Sequence, residues 1–206
     1  MRDVNTEVAG SLRARPRAVF LLSPAHCGGR RAEMLLAGNG SFPLVERFRD
    51  AGAPIGEVFS FISGLYFRGK LAYARAFGRP LVITPGRGLL APETVVTRSE
   101  LHEIARVGVA PDEPRFREPL ERDVEGLAAS LDEDDIVVLL GSIATGKYLD
   151  VIELRLAGRL RFPSAFVGRG DMSRGGLMLR SVLSGAELEY VAVAGATRRG
   201  KRPPKL

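Results

Sequence analysis

Four glycine-rich segments carrying a cationic or hydroxyl side chain each follow a short apolar run: SPAHCGGR at residues 23–30, TPGRGL at 84–89, GSIATGK at 141–147 and GRGDMSRGG at 168–176. Exposed backbone N–H groups in such loops, with Arg or Lys at the rim, form a receptor for an anion. Arg87, Lys147, Arg169 and Arg174 are the residues expected to hold phosphate, with Ser23, Thr145 and Ser173 supplying hydroxyls beside them. His26 and Asp171 are the candidates for proton transfer or for polarising water. Between the first two loops, LYFRGK at 65–70 interleaves aromatic and cationic groups, which suits stacking Tyr66 on a base while Arg68 and Lys70 meet phosphate. The plainer alternative makes Tyr66 and Phe67 core residues and the two cations a wetted helix face.

Each motif has such a counter-reading. GSIATGK completes the GxxxxGK part of a phosphate loop after the apolar run IVVLL, but Tyr148 stands where a Ser or Thr hydroxyl would ligate Mg²⁺. A nucleotide or metabolite kinase is therefore only a third reading. Binding of one phosphate or a base edge fits better, and a tight strand-to-helix turn is the bland alternative. In GRGDMSRGG, Asp171 is placed to cap a helix from about residue 172 to 183, with Ser173 and Arg174 in its first turn, yet four glycines in nine residues exceed what a cap needs. Cys27 is the only cysteine, and neighbours in an extended loop point apart, so a small buried thiol is expected rather than a nucleophile paired with His26. No spacing of His, Cys, Asp and Glu indicates a metal, and no cofactor is expected.

The elements that must position these groups are legible from periodicity. The continuous apolar runs at 18–22 (AVFLL), 81–84 (LVIT), 136–140 (IVVLL) and 190–193 (YVAV) read as strands buried on both faces. Helical patterns lie at 30–36, 44–51, 65–77, 101–107 and 116–131, the fourth opened by the capping box Thr97-Arg-Ser-Glu100. Strands alternating with helices predict a three-layer α/β domain: a mostly parallel, four- or five-stranded sheet with helices on both faces. In such sheets the loops at the carboxyl ends of the strands bind ligands.

Composition narrows the class. A chain of 206 residues with 45% hydrophobic and 26% charged residues fits one ordered domain, here 18–196. Most of the net charge of +6 resides in a basic segment at 197–206, expected to be a flexible tail, and in a basic arm at 1–17, so the body is near neutral. Nucleic-acid affinity would then come from these arms plus a local cleft. No apolar run approaches the ~20 residues of a spanning helix and no signal-like segment opens the chain, which leads to the expectation of a cytoplasmic protein without membrane partners.

The order of the motifs LSPA at 22–25, LYFRGK at 65–70, AYAR at 72–75, VITPGRGLL at 82–90, LGSIATGKY at 140–148 and FP at 162–163 followed by 168–179 resembles the YaaA peroxide-stress proteins and related small bacterial domains. Through them it is similar to the uracil-DNA glycosylase-like α/β fold. The resemblance implies a protein that handles DNA or nucleobases. The water-activating Asp of the glycosylases has no counterpart in Ser23-Pro24-Ala25, nor their late His in Phe162-Pro-Ser164, which speaks against ordinary uracil excision. The resulting expectation is a protein that binds a nucleobase, nucleotide or nucleic-acid strand. Its enzymatic form would act on a glycosidic bond or modify a base; the alternative is a non-catalytic DNA-binding stress protein.

Overall fold

The computed structural model describes residues 18–201 except positions 39, 145, 157, 198 and 199. Thr145, the basic arm and most of the basic tail thus lie outside the described residues. Chain order is β1 (Ala18–Leu22), α1 (Arg30–Ala37), α2 (Pro43–Ala51), β2 (Ala53–Pro54), α3 (Ile55–Ser63), α4 (Leu65–Phe77), β3 (Arg79–Thr84), β4 (Gly88–Leu90), β5 (Val95–Val96) and α5 (Arg98–Ala105). It continues with α6 (Pro114–Ser130), β6 (Ile136–Leu140), α7 (Leu149–Leu156), β7 (Leu160–Pro163), a 3₁₀ turn (Ser164–Phe166), α8 (Asp171–Ser184) and β8 (Tyr190–Ala192).

The main sheet has six strands in the order β4-β3-β1-β6-β7-β8, and β2 pairs with β5 as a separate ribbon. Strands β3, β1, β6 and β7 run parallel, while β4 and β8 pair antiparallel at the two edges. The expected mostly parallel α/β sheet is therefore present, with more strands than the four or five expected. The additions are β4, a short edge strand, and β7, which lies between β6 and β8; β8, expected to be buried on both faces, is instead a partly exposed antiparallel edge strand. The 84–89 segment does not lead into a helix: Gly86 and Gly88 both adopt positive φ (77° and 73°), which closes a tight hairpin from β3 to β4.

The central strand β1 is buried along its whole length, as its unbroken apolar sequence requires. From β1 the chain crosses over to β3 on one side, and from β6 it crosses to β7 on the other. Right-handed crossovers in opposite directions put α4 and α7 on opposite faces of the sheet. α4 packs on β1 and β3 and against α8, whereas α6 packs on α7. On the α4 face, Phe20 meets Tyr73 edge to face at 5.6 Å. No helix among the described residues is long and apolar enough to cross a membrane.

α4 and α8 approach each other through glycines. A Cβ on Gly69 would lie 2.7 Å from Gly175 O, and one on Gly175 would lie 2.8 Å from Leu65 O. Gly175, read from sequence as part of a ligand loop, is thus the place where two helix backbones touch. Close crossing leaves α4 covered by the sheet on one side and by α8 on the other, so it has less wetted face than a surface helix.

Candidate functional site

β1 and β6 are neighbours whose crossovers leave on opposite faces, so the space beyond their carboxyl ends is the switch point of the sheet, called the crevice below. This is the position where open α/β sheets receive ligands. The loop after β1 begins with Ser23, whose backbone N–H donates to Leu140 O at 3.2 Å. The loop after β6 begins with Gly141, where a Cβ would sit 3.0 Å from Ser23 Cβ. Only a residue without a side chain lets the two loops lie this close.

Lys70 enters the crevice from α4 and is 1% exposed. Its Nζ donates to Ser23 O at 2.5 Å and lies 3.0 Å from Ser23 Oγ. The same nitrogen stands 4.4 Å from the Tyr66 ring centre and 4.7 Å from that of Phe67. Loss of hydration lowers the Lys70 amine from 10.5 to about 7; Asp171 pulls against this shift and Arg174 adds to it. At neutral pH much of this side chain is a free amine, able to accept a proton. The wetted helix face is corrected here for Lys70: the α8 crossing covers the side on which it lies.

Tyr66 is buried at 7% exposure, and its hydroxyl has no hydrogen-bond partner of good geometry among the described residues. Burial raises its phenol; Arg174 and Ser23 nevertheless stand close enough to pull it back down. Both act on the phenol as hydrogen-bonding neighbours, though neither bond has normal geometry. The expected stacking role for Tyr66 is corrected, since its ring is buried with Lys70 over one face. What it offers a ligand is the hydroxyl. A second phenol, Tyr148, is pushed up to about 12 by burial, with Tyr66 and Asp171 adding and Ser23 opposing through a hydrogen bond. Its ring packs edge to face on Phe116 at 6.5 Å.

Asp171 and Arg174 reach the crevice from the first turn of α8. The N-cap is Gly170 rather than Asp171, which is the first helical residue. The Asp171 side chain is 69% exposed, yet its charge is felt by Lys70, Tyr66 and Tyr148, so solvent meets the buried cluster at Asp171. Arg174 is 11% exposed and donates from Nε and Nη2 to Phe166 O at 3.2 and 3.1 Å. Arg169 donates to Ala165 O at 2.9 Å and to Ser173 Oγ at 3.4 Å, which ties the 168–176 loop to itself.

The other expected site residues lie elsewhere. Arg87 is paired with Glu100 at 2.9 Å and Glu103 at 3.0 Å, in a separate groove of about 570 Å³ between the β3–β4 turn, α5 and α6. Two carboxylates neutralise the cation expected to hold phosphate. Arg68 points away from Tyr66 into a groove of about 440 Å³ with Arg31, Phe42 and Phe61. His26 is exposed, lies against Gly28 and has no hydrogen bond or ion pair among the described residues. Lys147 is exposed beside Gly146, and the space against Gly146 is filled by the Asp150 carboxylate. A residue of the same charge as phosphate thus occupies the mouth of α7. Burial pushes the Cys27 thiol up to about 11, so it carries almost no thiolate near pH 7.

Of the expected residues, the crevice therefore gathers Ser23, Tyr66, Lys70, Asp171 and Arg174, and it adds Tyr148, which the sequence presents only as a failed magnesium ligand. Comparison with family models, with curated proteins and with solved structures gives no match.

Proposed function

We propose that the crevice between β1 and β6 binds a nucleobase or nucleotide, free or within a nucleic-acid strand, and processes it. The observation that carries this reading is the buried hydroxyl of Tyr66, which finds no partner of good geometry among the described residues. A buried polar group without a partner costs about 1–3 kcal/mol, and a fold keeps such a group at a crevice when a ligand supplies the missing bond. The hydroxyls of Ser23, Tyr66 and Tyr148 each donate and accept, which suits the mixed edge of a base. Arg174, whose charge reaches Tyr66 and Lys70, would meet the phosphate that follows the base. Lys70 takes the proton-transfer role expected of His26, with Asp171 at the mouth. The finer fold assignment, to the uracil-DNA glycosylase-like folds, and the relation to the YaaA proteins belong to the same proposal and are supported by motif order.

The test is a calorimetric titration with nucleoside monophosphates and short single strands, comparing wild type with Tyr66→Phe. The expected result is a tenfold or greater loss of affinity in Tyr66→Phe with thermal stability unchanged or raised, since the variant removes an unsatisfied group. Equal binding by both proteins would contradict the reading.

A second reading, non-catalytic binding of a strand, is favoured by the groove that holds Arg31 and Arg68 beside Phe42, which is 52% exposed. There a paired Arg31→Ala and Arg68→Ala change should flatten the salt dependence of single-strand binding by about 0.7 in log–log slope for each phosphate no longer neutralised.

A further inference from the structure

We propose that Ser23 is a nucleophile and Lys70 its general base, and that the crevice cleaves a carboxylic ester borne by the nucleoside or nucleotide it holds. The inference rests on the crevice being a ligand site and goes on to name the bond.

The geometry is that of an activated hydroxyl. Ser23 Oγ and Lys70 Nζ are 3.0 Å apart, within the distance over which a base takes a proton from its nucleophile. The neighbouring bond from Nζ to Ser23 O, 2.5 Å, fixes the amine in place; Nζ also donates to Oγ, and in the uncharged amine that bond reverses so that the hydroxyl donates to the lone pair. A serine base of this kind has to be uncharged, and a lysine becomes uncharged near neutrality only where water is excluded, as it is between the rings of Tyr66 and Phe67. The groups facing Lys70 are Tyr66 on its own helix, Ser23 after β1, Asp171 and Arg174 on α8, and, beyond Ser23, Tyr148. Among the described residues Asp171 is the sole carboxylate whose charge acts on it, and it is at the solvent mouth.

An acyl centre matches the remaining groups better than a phosphoryl one. Attack on a carbonyl concentrates charge on one oxygen, which neutral donors can hold. Phosphoryl transfer spreads charge over three oxygens and calls for several cations. Near Ser23 stand two phenols, Tyr66 and Tyr148, while the Arg174 guanidinium is already engaged by Phe166 O. The step balances without a redox partner. Ser23 Oγ bonds to the carbonyl carbon as its proton passes to Lys70 Nζ, and the carbonyl oxygen becomes an anion held by the phenols. The tetrahedral species then expels the alcohol, which takes the proton from Lys70. Water attacks the acyl-serine, giving one proton to Lys70 and thence to Ser23 Oγ, and the acid leaves.

The experiment treats the full chain with a small alkyl fluorophosphonate, which forms an Oγ–P bond as fluoride departs, and maps the adduct by peptide mass spectrometry. The expected result is one adduct, on Ser23, absent from Ser23→Ala and formed at least 100-fold more slowly in Lys70→Met. The wild-type labelling rate should rise with pH through a midpoint near 7, and that dependence should vanish in Lys70→Met. An unlabelled Ser23 in wild type, or labelling at equal rates in Lys70→Met, overturns the proposal. Mononucleotide titration of the same samples separates the two readings: binding without labelling leaves the crevice reading and removes the nucleophile, whereas labelling without nucleotide binding leaves the nucleophile and removes the nucleotide.

Discussion

The β3–β4 turn and the β1/β6 crevice lie on the same edge of the sheet, and both are glycine loops beside a buried strand. They differ in what is left unsatisfied. At the turn, Arg87 is matched by Glu100 and Glu103, and Leu89 N–H donates to Asp123 Oδ2 at 2.8 Å. At the crevice, the Tyr66 hydroxyl lacks a partner and Lys70 is buried without a direct ion pair among the described residues. Glycines and cations in a loop therefore do not make a site. An internal structural turn satisfies its own polar groups, while a receptor leaves some for the guest.

The largest expected difference between the regions is energetic and depends on pH. Lys70 is held near 7 in the folded protein against 10.5 when unfolded, so between those values the unfolded chain binds more protons and stability rises with pH. In Lys70→Met that gain is absent. Chemical denaturation at pH 6 should find the variant the more stable protein, and the gap should shrink by on the order of 4 kcal/mol toward pH 11. A constant gap would mean that Lys70 is solvated and that the crevice resembles the turn.

Packing gives the next effect. Gly175→Val forces a side chain against Leu65 O and the Tyr66 backbone, which a Cβ alone would approach to 2.8 and 3.0 Å. A loss of about 3 kcal/mol in thermal or denaturant unfolding is expected, together with displacement of Tyr66 and Lys70. The smallest effect belongs to the turn. Arg87→Ala should cost at most about 1 kcal/mol, less in high salt, because the ion pairs lie at the solvent-accessible surface, and it should leave ligand binding unaltered. A larger loss of binding in Arg87→Ala than in Tyr66→Phe would invert the comparison.

Much of the sheet was legible because a strand buried on both faces leaves an unbroken apolar run, as in AVFLL and IVVLL. The capping box was legible too: Glu100 N–H donates to Thr97 Oγ1 at 3.3 Å, and Thr97 N–H to Glu100 Oε2 at 2.7 Å. α3 was missed although Ile55, Val58, Phe59 and Ile62, all buried, stand at i, i+3, i+4 and i+7 as one helical face; its nine residues between Pro54 and Gly64 make a short segment. β7 escaped because LRFP is four residues long and contains Arg161 and Pro163. For Lys70 the sequence indicates the right place and the wrong environment. Its spacing on α4 cannot reveal that α8 covers it, which follows from a glycine contact between residues 69 and 175. Tyr148 came to the site through the adjacency of β1 and β6, a fact of sheet order that local sequence does not carry.

The most direct measurement is the titration of the Lys70 amine, followed by NMR of lysine labelled at Cε, with Lys70→Met to assign the signal. A midpoint near 7 that moves when a mononucleotide is added is the expected result. A midpoint near 10.5, or one near 7 that no mononucleotide disturbs, would contradict a ligand-receiving crevice built around Ser23, Tyr66 and Lys70.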